Sequence, residues 1–127
     1  MDKDVKHWVG ISRYDLDTAK AMLSAHRYVY VLFTCQQALE KLLKALVICE
    51  TGKFPPRIHN LLKLAEKAKL ELSEEEKVYM EKLNYYYIGS RYPEAVRKIA
   101  EDVTKKLAED YYDKTVRIWK RLRLGVR

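Results

Sequence analysis

"YVYVLFTCQQALEKLLKALVICETG", residues 28–52, decides the fold. As a helix it is apolar over more than half its circumference, and "ALEKLLKAL" (38–46) consists of strong helix formers throughout. The β-branched and aromatic run from Val29 to Phe33 suits a strand, but the segment runs on too long for one, and Gly52, Pro55 and Pro56 supply a helix stop. A helix this apolar needs neighbours on several sides. It is the centre of a core, or it is shared with another subunit.

On its N-terminal side, Val5, Trp8, Val9, Leu16, Ala19 and Leu23 recur mostly three or four apart, which predicts a first helix from Asp4 to about Ala25. Asp2 or Asp4 caps its start, and "SAHRY" (24–28) is a break where His26 and Arg27 interrupt the pattern. On the C-terminal side, the paired prolines of "KFPPRIHN" (53–60) fix an extended loop. A short third helix follows, with Leu61, Leu62, Leu64, Ala65 and Ala68 along one side. Ser73 and Glu76 form a capping box for the fourth helix, whose apolar side carries Val78, Tyr79, Leu83, Tyr86 and Tyr87 and which stops near Gly89 to Pro93. A fifth helix is expected from Pro93 or Glu94 to Leu124, with Val96, Ile99, Ala100, Val103, Leu107 and Tyr111 aligned. The fold expected is all-α, one antiparallel bundle of four or five helices spanning residues 1–127 as a single domain.

The 127 residues hold 25 Lys and Arg against 18 Asp and Glu, a net charge of +7 that fits an anionic partner such as nucleotide, RNA or an acidic protein. Arg117, Lys120, Arg121, Arg123 and Arg127 crowd the C-terminal turns, as a solvated helix end that suits the dipole or as part of a nucleic-acid footprint. No stretch is long and apolar enough for a membrane span, and Met1 to Trp8 mix acids and bases, so a soluble cytoplasmic protein is expected. Cys35 and Cys49 lack the close Cys or His neighbours of a metal site and read as small core residues. With four isolated glycines there is no phosphate loop or nucleophile elbow, so neither a metal, a cofactor nor a familiar catalytic framework is expected.

Three groups of residues stand out. Gln37, Glu40, Lys41 and Lys44 share one arc of the most apolar helix; an intrahelical Glu40–Lys44 pair explains part of it, and a polar pocket or partner surface explains the whole. His59, after the proline loop, either caps backbone groups or faces a cleft. In "YYYIGSRYPE" (85–94), Tyr87 and Tyr92 are able to stack bases while Arg91 binds phosphate, although core packing explains the aromatics as readily.

"CQQALEKLLKAL" (35–46), "IHNLLKL" (58–64) and "SRYPE" (90–94), in that order, resemble the HEPN domain family (higher eukaryote and prokaryote nucleotide-binding). "WVGISRYDLDTAKAML" (8–23) fits as well, with Trp8 and then Asp15, Leu16 and Ala19 at the family's aromatic and D-L-x-x-A positions. The resemblance implies a bundle that is frequently a homodimer, encoded in prokaryotes beside a minimal nucleotidyltransferase in a two-component, toxin–antitoxin-like pair. It carries site roles to Gln37, Glu40, Lys41, His59, Arg91, Tyr92 and Pro93. Many members are metal-independent ribonucleases with an arginine followed after four to six residues by a histidine, and no arginine here has a histidine at that distance. The expectation is therefore a non-catalytic, nucleotide-binding HEPN protein. Alternatives are a ribonuclease toxin in which folding joins His59 to Arg91, and a structural dimerisation subunit.

Overall fold

The computed structural model of the protein describes residues 2–89 and 91–127; Ser90, the first residue of the "SRYPE" stretch, and Met1 lie outside the described residues. Six helices follow in order: α1 (Lys3–Ser24), α2 (Tyr28–Thr51), α3 (Leu61–Lys67), α4 (Glu74–Gly89), α5 (Pro93–Asp102) and α6 (Lys105–Arg123). No strand occurs among the described residues. α2 lies at the centre, with α1, α3, α4, α5 and α6 all resting on it. Its Leu32, Leu39, Leu42 and Leu43 are fully enclosed, which is the outcome its broad apolar pattern demands.

Local signals set the helix ends. Asp2 caps α1, its carboxylate accepting from Asp4 N at 2.7 Å and Val5 N at 3.3 Å. The chain reverses at His26, which adopts a left-handed φ of 61° before α2 begins. Gly52 closes α2 with φ 68°. The capping box at α4 is formed in both directions, Ser73 N donating to Glu76 Oε1 at 2.9 Å and Glu76 N to Ser73 Oγ at 3.1 Å.

The single fifth helix expected after Pro93 is in fact two. Val103 takes an extended conformation (φ −89°, ψ 106°), and Thr104 caps a new helix by accepting from Leu107 N at 3.1 Å. A β-branched pair favours this break, because Thr is a far better N-cap than helix interior. The break buries Val103 while leaving Ala100, expected on the apolar side, exposed. It also sets α6 so that Tyr111, Thr115, Ile118, Trp119 and Leu122 turn inward.

Two neutral hydrogen-bonded clusters join the outer helices. Ser12 Oγ donates to the Ala38 carbonyl at 2.7 Å and accepts from Trp119 Nε1 at 2.6 Å, tying α1, α2 and α6 together. The Tyr79 hydroxyl donates to the Tyr111 carbonyl at 2.7 Å and meets Thr115 Oγ1, tying α4 to α6. Cys35 is buried in the core, where desolvation pushes its thiol up to about 12. Cys49 differs from the core residue expected: it is only half-buried, its Sγ lying 3.4 Å from the Arg127 carbonyl oxygen.

Candidate functional site

The polar arc on α2 is held by contacts with other parts of the chain, and Glu40 is its hub. Although 1% exposed, the carboxylate is fully engaged: Oε1 lies 3.0 Å from His59 Nδ1 and accepts from Gln36 Nε2 at 3.3 Å, while Oε2 accepts from Lys44 Nζ at 3.1 Å. A buried carboxylate unpaired would carry a large desolvation cost, and these donors offset it. The expected Glu40–Lys44 pair is thus present but buried, not a surface contact. Lys44 also sits 5.4 Å from the Trp8 ring centroid, so both its charge and its position are used inside the protein.

Gln37 and Lys41 continue the arc toward the surface. Lys41 Nζ donates to Gln37 Oε1 at 2.7 Å and lies 3.7 Å from Asp15 on α1. Burial raises the Asp15 carboxyl above its ordinary value, with Lys41 pulling it back. Trp8 and Asp15, matched in the sequence to one helix-one pattern, therefore touch the same network through Lys44 and Lys41.

His59 is reached from α2 twice, since Gln36 Nε2 also donates to its carbonyl at 2.8 Å. The capping role considered for His59 belongs to its neighbour: Asn60 accepts from Leu62 N and Lys63 N, at 3.0 and 3.2 Å, and Asn84 on α4 anchors the same turn through Leu61 N at 3.0 Å. The "IHN" triplet thus divides its work, Ile58 packing on the core, His59 meeting Glu40 and Asn60 starting α3. With Nδ1 held by the carboxylate, the proton sits on Nδ1 in the neutral ring and Nε2 is left as the basic edge. The His59 side chain is 47% exposed.

Tyr87, near the end of α4, joins His59 to Arg91. Its ring lies 5.2 Å from the His59 ring, stacks on Phe33 at 5.6 Å and 11°, and has the Arg91 guanidinium carbon 5.9 Å from its centroid. Burial raises its hydroxyl pKa, the Glu40 charge adds to this, and Arg91 opposes it. Pro93, at the first turn of α5, holds Tyr92 extended (φ −120°, ψ 121°), so the turn after α4 projects Arg91 outward. A Cβ at Gly89 would overlap the Ile99 Cδ1 methyl, the far end of a side chain on α5. Arg91 is exposed.

Of the residues singled out in the sequence, Gln37, Glu40, Lys41, His59, Tyr87 and Arg91 converge. Lys44 is buried behind them, and Tyr92, 62% exposed, makes no side-chain cap bond at the start of α5. The sequence alone leaves Gln36 off the arc and gives Phe33 no part in it. For Gln36 the available signal is a polar residue in the most apolar turns of α2; for Phe33 there is none beyond its size. No group of three His, Cys, Asp or Glu side chains able to hold a metal occurs among the described residues.

The HEPN domain family model matches residues 5–124, which takes in all of these residues and the helices that carry them. The chain belongs to the HEPN domain family. The crystal structure of TT1696 from Thermus thermophilus superposes on this HEPN chain with a TM-score of 0.81 and 25% identity, covering 98% of this chain and 99% of that one. No curated protein matches it. No helix of this HEPN domain is long and apolar enough to cross a membrane, among the described residues.

Proposed function

We propose that this HEPN protein binds a nucleotide or nucleotide-bearing substrate at the Tyr87 cluster, without catalysing its turnover. It acts in the cytoplasm of a prokaryote as a homodimer and as the partner of a minimal nucleotidyltransferase in a toxin–antitoxin-like pair. The supporting observation is the convergence of a projecting guanidinium and a carboxylate-held imidazole on one tyrosine ring. Arg91 neutralises phosphate, the His59 Nε2 edge hydrogen-bonds it, and Tyr87 lines the aromatic side, with the exposed Tyr92 at the start of α5 available to stack or hydrogen-bond. Glu40 and Gln37 orient these groups from behind, and Lys41 adds positive charge at the margin. Calorimetric titration with ATP, alone and with the nucleotidyltransferase, is the test. Heat that disappears in Arg91→Ala is expected; absence of heat in both settings removes the ligand role.

One observation favours a second reading, a metal-independent ribonuclease. His59 and Arg91 are 32 residues apart in sequence yet lean on the same ring, at 5.2 and 5.9 Å. A base and a cation so placed suit attack of an RNA 2′-hydroxyl on its adjacent phosphate. Incubation of the purified protein with RNA separates the readings: cleavage lost in both His59→Ala and Arg91→Ala selects the ribonuclease, and intact RNA removes it.

A further inference from the structure

Between α1 and the loop that carries His59 runs a chain of side-chain contacts whose hydrogen bonds all point the same way. Asp15 on α1 lies 3.7 Å from Lys41 Nζ, and Lys41 Nζ donates to Gln37 Oε1 at 2.7 Å. Gln37 Nε2 donates to Gln36 Oε1 at 2.7 Å, and Gln36 Nε2 donates to the His59 carbonyl at 2.8 Å. Glu40 Oε1 accepts from both amides on the way, at 3.3 Å from Gln36 and 3.5 Å from Gln37, and lies 3.0 Å from His59 Nδ1.

The chemistry of the two ends sets this direction. An ammonium only donates, so Gln37 turns its oxygen to Lys41 and its amino group to Gln36. A backbone carbonyl and an ionised carboxylate only accept, so Gln36 turns its amino group to His59 and Glu40 and its oxygen to Gln37. The two demands agree where the amides meet, and no oxygen faces an oxygen. Amides aligned in this way polarise one another, the more so because Gln36 is fully buried.

Lys41 is engaged inward as well as lending charge to the margin of the site. Its ammonium has three protons to give, and Gln37, Asp15 and Glu40 offer oxygens at 2.7, 3.7 and 3.9 Å. With its side chain only 17% exposed, it starts the amide chain from a fixed place against α1.

We propose that Lys41 is a positioning residue for His59. Held by Asp15 and acting through the Gln37 and Gln36 amides, it orients the donor that grips the His59 carbonyl and so keeps the imidazole against Glu40 and Tyr87. The use of an ordered His59 rests on the reading of the Tyr87 cluster as a ligand site; the grip itself belongs to the free protein and is measured there.

The exchange of the His59 Nδ1 proton with water, measured by NMR on the full chain without nucleotide, tests this. Lys41→Met and Gln37→Met should each speed that exchange roughly tenfold, as expected for the loss of about one net hydrogen bond. The double variant should exchange no faster than either single one, since both cut the same chain. Both substitutions are at partly exposed positions, and circular dichroism checks that each variant is folded. Gln37→Met decides, because it leaves the Lys41 charge beside Asp15 and Glu40 while removing the link to Gln36. Faster exchange in Lys41→Met but not in Gln37→Met means that Lys41 acts by charge alone and overturns the proposal. So do additive effects in the double variant, or a lowered urea midpoint with His59 exchange as in the wild type, which reduces these residues to a brace between α1 and α2. Failure of ATP to bind removes the ligand role and leaves the exchange pattern standing, whereas unchanged exchange in a protein that binds ATP removes the role of Lys41 alone.

Discussion

Two kinds of buried polar cluster hold this bundle together, and they differ in what they leave open. The Ser12–Ala38–Trp119 and Tyr79–Tyr111–Thr115 clusters are neutral and sealed; their groups are satisfied by one another, and they act only to tie α1, α4 and α6 in place. The Glu40 cluster is charged, and it ends at the surface on a half-exposed imidazole beside an exposed arginine. A neutral cluster suffices to fix helices against one another. Burying a carboxylate is costly, and here it holds the Nδ1 side of His59, leaving Nε2 outside that contact.

The contrast can be broken by substitution. Glu40→Ala should have the largest effect, about 3–5 kcal/mol in urea denaturation, because it leaves Lys44 charged and buried without its partner. Replacing both residues together, Glu40→Met with Lys44→Met, should recover much of that loss while removing the group that orients His59. Tyr79→Phe should cost about 1–3 kcal/mol by stripping a donor from the Tyr111 carbonyl, and leave any nucleotide binding unchanged. His59→Ala, at a half-exposed position, should change stability by no more than about 1 kcal/mol yet abolish binding at the Tyr87 cluster. A double-mutant cycle on Glu40 and His59 would then isolate their coupling.

The smallest effect concerns the two thiols. Since the thiolate is the reactive form, Cys35, pushed up to about 12 and enclosed, should resist iodoacetamide at neutral pH, while Cys49 is modified. Mass spectrometry of the native protein reads this directly. Modification of Cys35 before denaturation would mean that the core around it opens readily.

Much of this is legible in the sequence where the signal is local. Gly52, the Ser73–Glu76 box and Pro93 each act within one turn of chain, and each does what its residue type dictates. The long apolar run of α2 points to its central place for a similar reason, as no other position in a bundle covers so many faces. The Val103–Thr104 break is less visible, because the apolar spacing continues across it and only the capping ability of Thr104 argues otherwise. Periodicity also places Val78 inward and passes over Met80, which is fully buried; a short amphipathic pattern fixes its face only to within a residue or two.

The candidate site is legible by arc and by motif, not by partnership. Glu40 and Lys44 are explained by an i to i+4 pair, and nothing local indicates that the carboxylate has a second partner 19 positions on. That contact depends on how the proline loop returns along α2, with Gln36 holding its backbone. Tyr87 is likewise ambiguous, since packing and ligand contact call for the same residue type, and here its ring packs on Phe33 while touching both His59 and Arg91.

The nucleotide-binding role is tested most directly by the imidazole nitrogen spectrum of His59, recorded by long-range ¹H–¹⁵N correlation as ATP is added. The predicted result is an Nδ1 that keeps its proton toward Glu40 in the free protein, with an Nε2 resonance that shifts on titration while His7 and His26 stay still, and no shift in Arg91→Ala. A ring with no proton on Nδ1, or a His59 signal indifferent to ATP with Arg91 intact, would contradict it.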